Sequence, residues 1–137
     1  MIFVDTNVVS ETTKLKPDAK VMVWLTRHDA EIALSSIVIA EMAFGIERIR
    51  PDERAPRLAL ALDAICARYA GRVFGFDDGA ARHYGRVMGE AERQGRKMAT
   101  PDGMIAAIAL LHDSPLATRN ILHFEIDGLR LINPWVD

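Results

Sequence analysis

The sequence predicts a three-layer α/β fold with a mostly parallel central sheet of about four to five strands. Three observations lead to it. Short apolar runs, Ile2-Phe3-Val4, Ile32-Ala33-Leu34 and Leu116-Ala117, suit buried strands in which period-two alternation disappears. Longer segments of helical period separate them, as parallel pairing through crossovers demands. The first and fourth strand candidates each end in a polar trio, Asp5-Thr6-Asn7 and Thr118-Arg119-Asn120. Ligands of open parallel sheets bind beyond such strand ends. The chain has 137 residues, the size of one core, and we expect one domain over 1–137.

Taken in order, Ile2 to Val4 forms the first strand, and residues from Val8 to Thr13 a short helix ending before Pro17. A second helix runs from Asp18, a plausible cap, to His28, with Val21, Trp24 and Leu25 on one face. Glu31 to Ser35 is the second strand. Ser35 or Ser36 then caps a helix from Ile37 to Arg48, on which Ile37, Ala40, Glu41 and Phe44 share a stripe. Arg54 to Tyr69 is helical, with Leu58, Leu62, Ile65 and Cys66 as its apolar stripe, and Gly71 ends it. Val73 to Phe76 is the third strand. Asp77 and Asp78 open a long helix through Gln94, with acids at its positive end, and Gly95 terminates it.

Thr100 fits an N-cap and Pro101 the first helical position, which puts Asp102 in the first turn of a helix reaching Leu111. Its many alanines allow close packing on a sheet. Pro115 to Thr118 is the fourth strand and Leu129 to Ile132 the last; Pro134 then leaves the sheet.

Composition is that of an ordinary globular protein, with half the residues hydrophobic and 26% charged. No apolar run is long enough to span a bilayer, and Asp5 interrupts the apolar start where a leader would continue. We therefore expect a cytoplasmic protein. The single cysteine, Cys66, cannot make an internal disulfide and is expected as a small core residue. A net charge of −2 neither demands nor excludes nucleic acid, because local patches decide phosphate binding.

Three acids stand out. Asp5 follows the first strand, where it either caps the next helix or ligates a metal. Glu41 lies on an apolar helix stripe, where it either pairs with an arginine or joins Asp5. Asp102 is either an ordinary first-turn acid or the third member of the set. A parallel sheet can bring all three to one edge. Oxygen ligands alone select hard cations, Mg²⁺ or Mn²⁺. Such an ion polarises a phosphodiester and activates an attacking water. Asn120 adds a neutral carbonyl oxygen or caps a turn. Arg93, Arg96 and Lys97 either complement a helix end or contact phosphate. The four histidines, at 28, 83, 112 and 123, lack zinc-ligand spacing and read as surface or packing residues. No Gly-rich phosphate loop or nucleophile elbow is present.

The chain resembles the PIN-domain ribonucleases, specifically the VapC-type toxins of bacterial type II toxin–antitoxin pairs and their FitB-like branch. The resemblance rests on Phe3-Val4-Asp5-Thr6-Asn7-Val8, on Ser35 through Met42, on Pro101 through Ala107, on Ala117 through Phe124, and on Ile132-Asn133-Pro134-Trp135. It implies a three-layer α/β/α PIN domain and a metal-dependent endoribonuclease. Asp5, Glu41 and Asp102 would hold Mg²⁺ or Mn²⁺, with Asn120 where relatives often carry a fourth acid and His123 where many carry another Asp. Thr6 and Thr118 match hydroxyls that orient the ligands. Arg119, Arg96 and Lys97 are candidates to steer RNA. The resemblance further implies a homodimer and a cognate antitoxin that inhibits the toxin and forms a hetero-oligomer binding operator DNA. Two other readings remain: a PIN-like binding module that no longer cuts, favoured by Asn120 and His123, and a Mg²⁺-dependent phosphatase using Asp5 as nucleophile.

Overall fold

The computed structural model describes residues 1–137. Five strands, β1 (Ile2–Val4), β2 (Ile32–Ser35), β3 (Val73–Phe74), β4 (Leu116–Ala117) and β5 (Leu131–Ile132), form one sheet in the order β3-β2-β1-β4-β5. Every pairing is parallel. Six helices complete the three-layer α/β/α arrangement: α1 (Thr6–Glu11), α2 (Ala19–Arg27), α3 (Ser36–Ile49), α4 (Arg54–Arg68), α5 (Asp78–Arg93) and α6 (Thr100–Leu111). The chain builds outward from β1 to β2 and β3, then crosses back to place β4 and β5 on the other side. Strand order therefore reverses between β1 and β4, and ligands of such sheets bind beyond the carboxyl ends of the strands at that switch point.

Burial explains why the strand signals were continuous rather than alternating. Every residue of β1 and β2 is buried, because helices cover both sheet faces. Phe3, Ile32, Leu34, Ile105, Ile108 and Leu116 are fully enclosed. Each such side chain contributes about 1.5–3 kcal/mol relative to exposure. On α6, residues Gly103 and Ile105 through Ala109 are all buried, so its small residues do allow a close approach. No helix is long and apolar enough to cross a membrane.

Several boundaries differ from expectation for identifiable reasons. The first helix starts at Thr6 rather than Val8, because Asp5 caps it and the helix begins directly at the strand end. The third strand stops at Phe74, not Phe76, since β2 supplies partners only as far as Ser35 before α3 begins. Glu31 belongs to a 3-10 turn rather than to β2. The fourth and fifth strands shorten to Leu116–Ala117 and Leu131–Ile132. Thr100 is not the cap of α6: the Gly103 N–H donates to the Ala99 carbonyl at 3.0 Å, so Ala99 is the cap and Thr100 lies inside. Cys66 is half-buried on α4 and is not a core residue, because α4 fully buries only Ala55. On α3 the core residues are Val38 and Ile46, while Phe44 is 66% exposed beneath the Arg48 guanidinium.

Candidate active site

β1 ends in Asp5, whose backbone N–H still donates to the Ala117 carbonyl of β4 at 2.8 Å. The side chain is buried at the switch point. Its Oδ1 accepts from the Thr6 N–H at 2.8 Å, which is the expected helix cap. Its Oδ2 accepts from the Thr118 hydroxyl at 2.7 Å and from the Asn7 amide at 3.1 Å. The cap reading of Asp5 holds: it caps α1, and the remaining hydrogen bonds hold its carboxylate in one orientation. Thr118 is fully buried, and its oxygen also accepts from the Asn120 N–H at 3.0 Å. The Asn7 side-chain Oδ1 accepts from the Arg119 backbone N–H at 3.3 Å and ties the loop after β4 to the start of α1. Asn7 stood in the opening motif without an assigned role, and only the fold shows this bridge.

Glu41 takes no arginine. Its Oε1 accepts from the Thr6 hydroxyl at 2.6 Å, which fixes α3 to the end of β1. Asp102 lies in the first turn of α6, where the helix dipole favours a carboxylate. Its Oδ2 is 4.0 Å from His123 Nδ1. His123 was expected as a surface or packing residue. It is largely exposed, yet the 3-10 turn Ile121–Phe124 returns it to the acid edge. That turn was not anticipated, and no periodicity in so short a segment announces it.

Asp102 lies within the electrostatic reach of the other two acids. Burial raises the Asp102 carboxyl above its ordinary value, and the charges of Asp5 and Glu41 raise it further; His123 opposes them. Burial likewise raises Asp5, against the hydrogen bonds from Thr118, Thr6 and Asn7 and the nearby His123. A cation beside these carboxyls would favour their charged form. The donors are hard oxygens, which fits a hard divalent ion. No three His, Cys, Asp or Glu side chains close into a complete metal cage. Carboxylate oxygens are donors of the class through which Mg²⁺ is bound, one or two directly, with water or phosphate at the remaining positions.

The other candidates lie further out. Asn120 is exposed at the end of β4, joined to the site through its backbone. The Arg119 guanidinium sits 5.0 Å over the Trp135 ring, on the C-terminal loop. Arg96 and Lys97 line an open depression between α5 and α6, with the Arg96 Nε–H donating to Gln94. A separate apolar cleft of about 340 Å³, lined by Val9, Met22, Leu25, Ile65 and Tyr69 among others, touches none of the candidate acids.

The model of the PIN domain family matches residues 2–129. The VapC ribonuclease Y4jK of Sinorhizobium fredii is 39% identical, with 98% of each chain covered. The toxin FitB of Neisseria gonorrhoeae is 34% identical over the whole of both chains. Among solved structures, FitAcB from Neisseria gonorrhoeae superposes with a TM-score of 0.91 at 33% identity, covering all of both chains. VapBC2 from Rickettsia felis, bound to a DNA fragment from its promoter, gives 0.83 at 28% identity over 97% of this chain and 98% of that one. The chain belongs to the PIN-domain family.

Proposed function

We propose that this PIN-domain chain is a metal-dependent endoribonuclease that acts as the toxin of a toxin–antitoxin pair. The observation that carries the reading is that Thr6 bonds both Asp5 and Glu41 at the switch-point edge, near enough to Asp102 for their charges to act on it. Family membership and the named ribonuclease and toxin relatives point the same way.

In this reading Asp5, Glu41 and Asp102 hold Mg²⁺ or Mn²⁺. A bound ion of that kind lowers the pKa of water and neutralises charge developing on a phosphodiester. Thr118 fixes the Asp5 carboxylate and Thr6 fixes Glu41, so each oxygen is aimed before the substrate arrives. Asn120, exposed at the end of β4, offers a neutral oxygen at the rim of the site. Arg119, Arg96 and Lys97 steer the RNA backbone towards them. We assign one PIN unit to residues 1–137, working in the cytoplasm as a homodimer. A cognate antitoxin inhibits it, and the joint complex binds operator DNA, as the FitB and VapBC relatives suggest.

The test is cleavage of total cellular RNA by antitoxin-free protein with Mg²⁺ or Mn²⁺, beside Asp102→Asn. Discrete fragments from the wild type alone, lost on chelation, are expected. Intact RNA from metal-loaded wild type would turn the assignment to a PIN-like binding module. Equal cleavage by Asp102→Asn would remove Asp102 from the site.

A further inference from the structure

We propose that the outer face of α5 is a phosphate track for RNA, carried by Arg82, Arg86 and Arg93, which holds the part of a folded RNA lying beyond the linkage at the acid edge. The inference rests on the reading of that edge as an RNA-cleaving site and goes beyond it in naming a second, distant contact surface. The three arginines stand four and seven residues apart on one 16-residue helix. At 3.6 residues per turn their side chains fall within about 40° of one another. The buried residues Ala80, Val87 and Ala91 occupy the opposite side, and all three arginines are exposed. From Arg82 to Arg93 the helix rises about 16 Å, long enough to meet more than one phosphate.

Several exposed arginines elsewhere are neutralised: Arg50 pairs with Glu47 at 2.9 Å, Arg54 with Asp52 at 3.0 Å and Arg68 with Asp29 at 2.8 Å. On this face only Arg86 has an acid, Glu90 at 3.7 Å, and Arg82 and Arg93 pair with no carboxylate. Arg82 and Arg86, four residues apart, repel one another, and a polyanion removes that cost. Two shallow depressions lie along the helix. One, of about 360 Å³, is lined by Arg82, His83 and Arg86 beside Leu111; the other is lined by Arg96 and Lys97 with Glu92. Beside the arginines, a Cβ would meet nothing at Gly85 and only the Arg93 guanidinium, at 3.8 Å, at Gly89. No packing within the chain requires these glycines, and their bare backbone leaves room for a phosphate. α5 runs antiparallel to α6, since a Cβ at Gly79 would meet Leu111 while one at Gly103 would meet Met88. The Arg93 end therefore lies towards the start of α6, which carries Asp102, and the Arg82 end points away from it. None of the large exposed apolar side chains lies on α5, so a protein partner would find no anchor there, whereas a phosphate chain needs only charge.

The test is fluorescence anisotropy on the antitoxin-free full chain in chelator, so that binding is read without cleavage. The probes are labelled bulk transfer RNA, as folded RNA, and a labelled short oligoribonucleotide of mixed sequence. The triple variant Arg82→Gln, Arg86→Gln, Arg93→Gln is set beside a control of equal charge, Arg48→Gln, Arg50→Gln, Arg54→Gln. The α5 triple should lose at least about tenfold in affinity for transfer RNA, and its slope of log affinity against log salt should shrink by about 2–3. The control triple should stay within about threefold of wild type, and the short oligonucleotide should bind all three proteins within about threefold, because it does not reach the track. With Mg²⁺ restored, the α5 triple should show a raised KM for RNA cleavage at unchanged kcat, the mark of lost uniform binding. Equal losses in the two triples, or none in either, overturn the track. A change of mass by light scattering in the α5 triple alone assigns the face to contact between copies of the chain and overturns it as well. If wild type leaves RNA intact with Mg²⁺ or Mn²⁺ while the α5 triple alone loses transfer RNA binding, the nuclease reading falls and the track stands. If wild type cuts and the α5 triple binds as wild type does, the track alone falls.

Discussion

Thr118 and Asp5 are 113 residues apart in sequence, and the Thr118 hydroxyl donates to Asp5 Oδ2 at 2.7 Å across the switch point between β1 and β4. Both side chains are buried, so the bond is charge-assisted and shielded from water. Thr118→Val keeps the shape and deletes the donor. The variant should lose about 1–3 kcal/mol of stability, because a buried carboxylate gives up a partner. Urea denaturation measures the loss. Cleavage should fall as well, since Asp5 is no longer held in one orientation, and Thr118→Ser should restore much of both.

The raised carboxyls of Asp5 and Asp102 set a pH dependence. A carboxyl whose folded pKa lies above its unfolded value binds its proton more tightly in the native state. Its neutral form is therefore favoured by folding, and stability declines as pH rises from the ordinary Asp value of about 3.9 through the raised one. Ion-free protein should consequently gain less from neutral pH than its other carboxylates suggest. Asp102→Asn should be more stable than wild type at pH 7 and equal to it at low pH. Denaturant midpoints across that range, in chelator, check the sign. A variant less stable than wild type at neutral pH would contradict it. Added Mn²⁺ should reverse the order, since only the wild type gains fully from the ion.

Thr6 isolates orientation from ligation. Its hydroxyl donates to Glu41 Oε1 at 2.6 Å. Thr6→Val should lower kcat/KM for RNA cleavage by roughly 10–100-fold, the usual effect of losing a group that orients a ligand. Thr6→Ser should retain most activity. The α1 cap, made by the Thr6 backbone N–H to Asp5, survives both changes, so the fold should stay intact by circular dichroism.

Gly103 follows Asp102 on α6, where α5 and α6 pack closely. A Cβ there would stand 2.5 Å from Met88 Sδ and 3.1 Å from Tyr84 Cε2. Alanine gains about 1 kcal/mol of helix propensity over glycine, so a net loss reports the clash alone. Gly103→Ala should cost about 1–3 kcal/mol as an overpacked site. Met88→Ala in the same chain should recover part of that cost, and a double-mutant cycle on unfolding measures the coupling.

Much of the layer structure was legible in the chain. Ile2-Phe3-Val4 and Ile32-Ala33-Leu34 read as strands because both sheet faces are covered, and a doubly buried strand must be apolar at every position. Asp18 announced its helix as a cap and accepts from the Lys20 N–H, while Asp77, read only as an acid opening its helix, is itself the cap and accepts from the Ala80 N–H. Strand and helix ends were less legible. Gly75-Phe76 has the composition of a strand but no partner beyond Ser35, and partnership is a property of the neighbour rather than of the segment.

For the site, local pattern determined which residues were acids at strand or helix ends: Asp5 by the apolar run before it, Asp102 by Thr100-Pro101, Glu41 by its apolar surroundings on α3. Only tertiary structure decided that they share one edge. It also decided that Glu41 takes a threonine rather than an arginine, that Asn7 bridges two loops, and that His123 returns to Asp102. The physical reason is range. Capping and periodicity act within a few residues, and the sequence displays them directly. Desolvation and mutual charge depend on which strand lies beside which, and the β1–β4 pairing that joins Asp5 to Thr118 forms only when the whole sheet does.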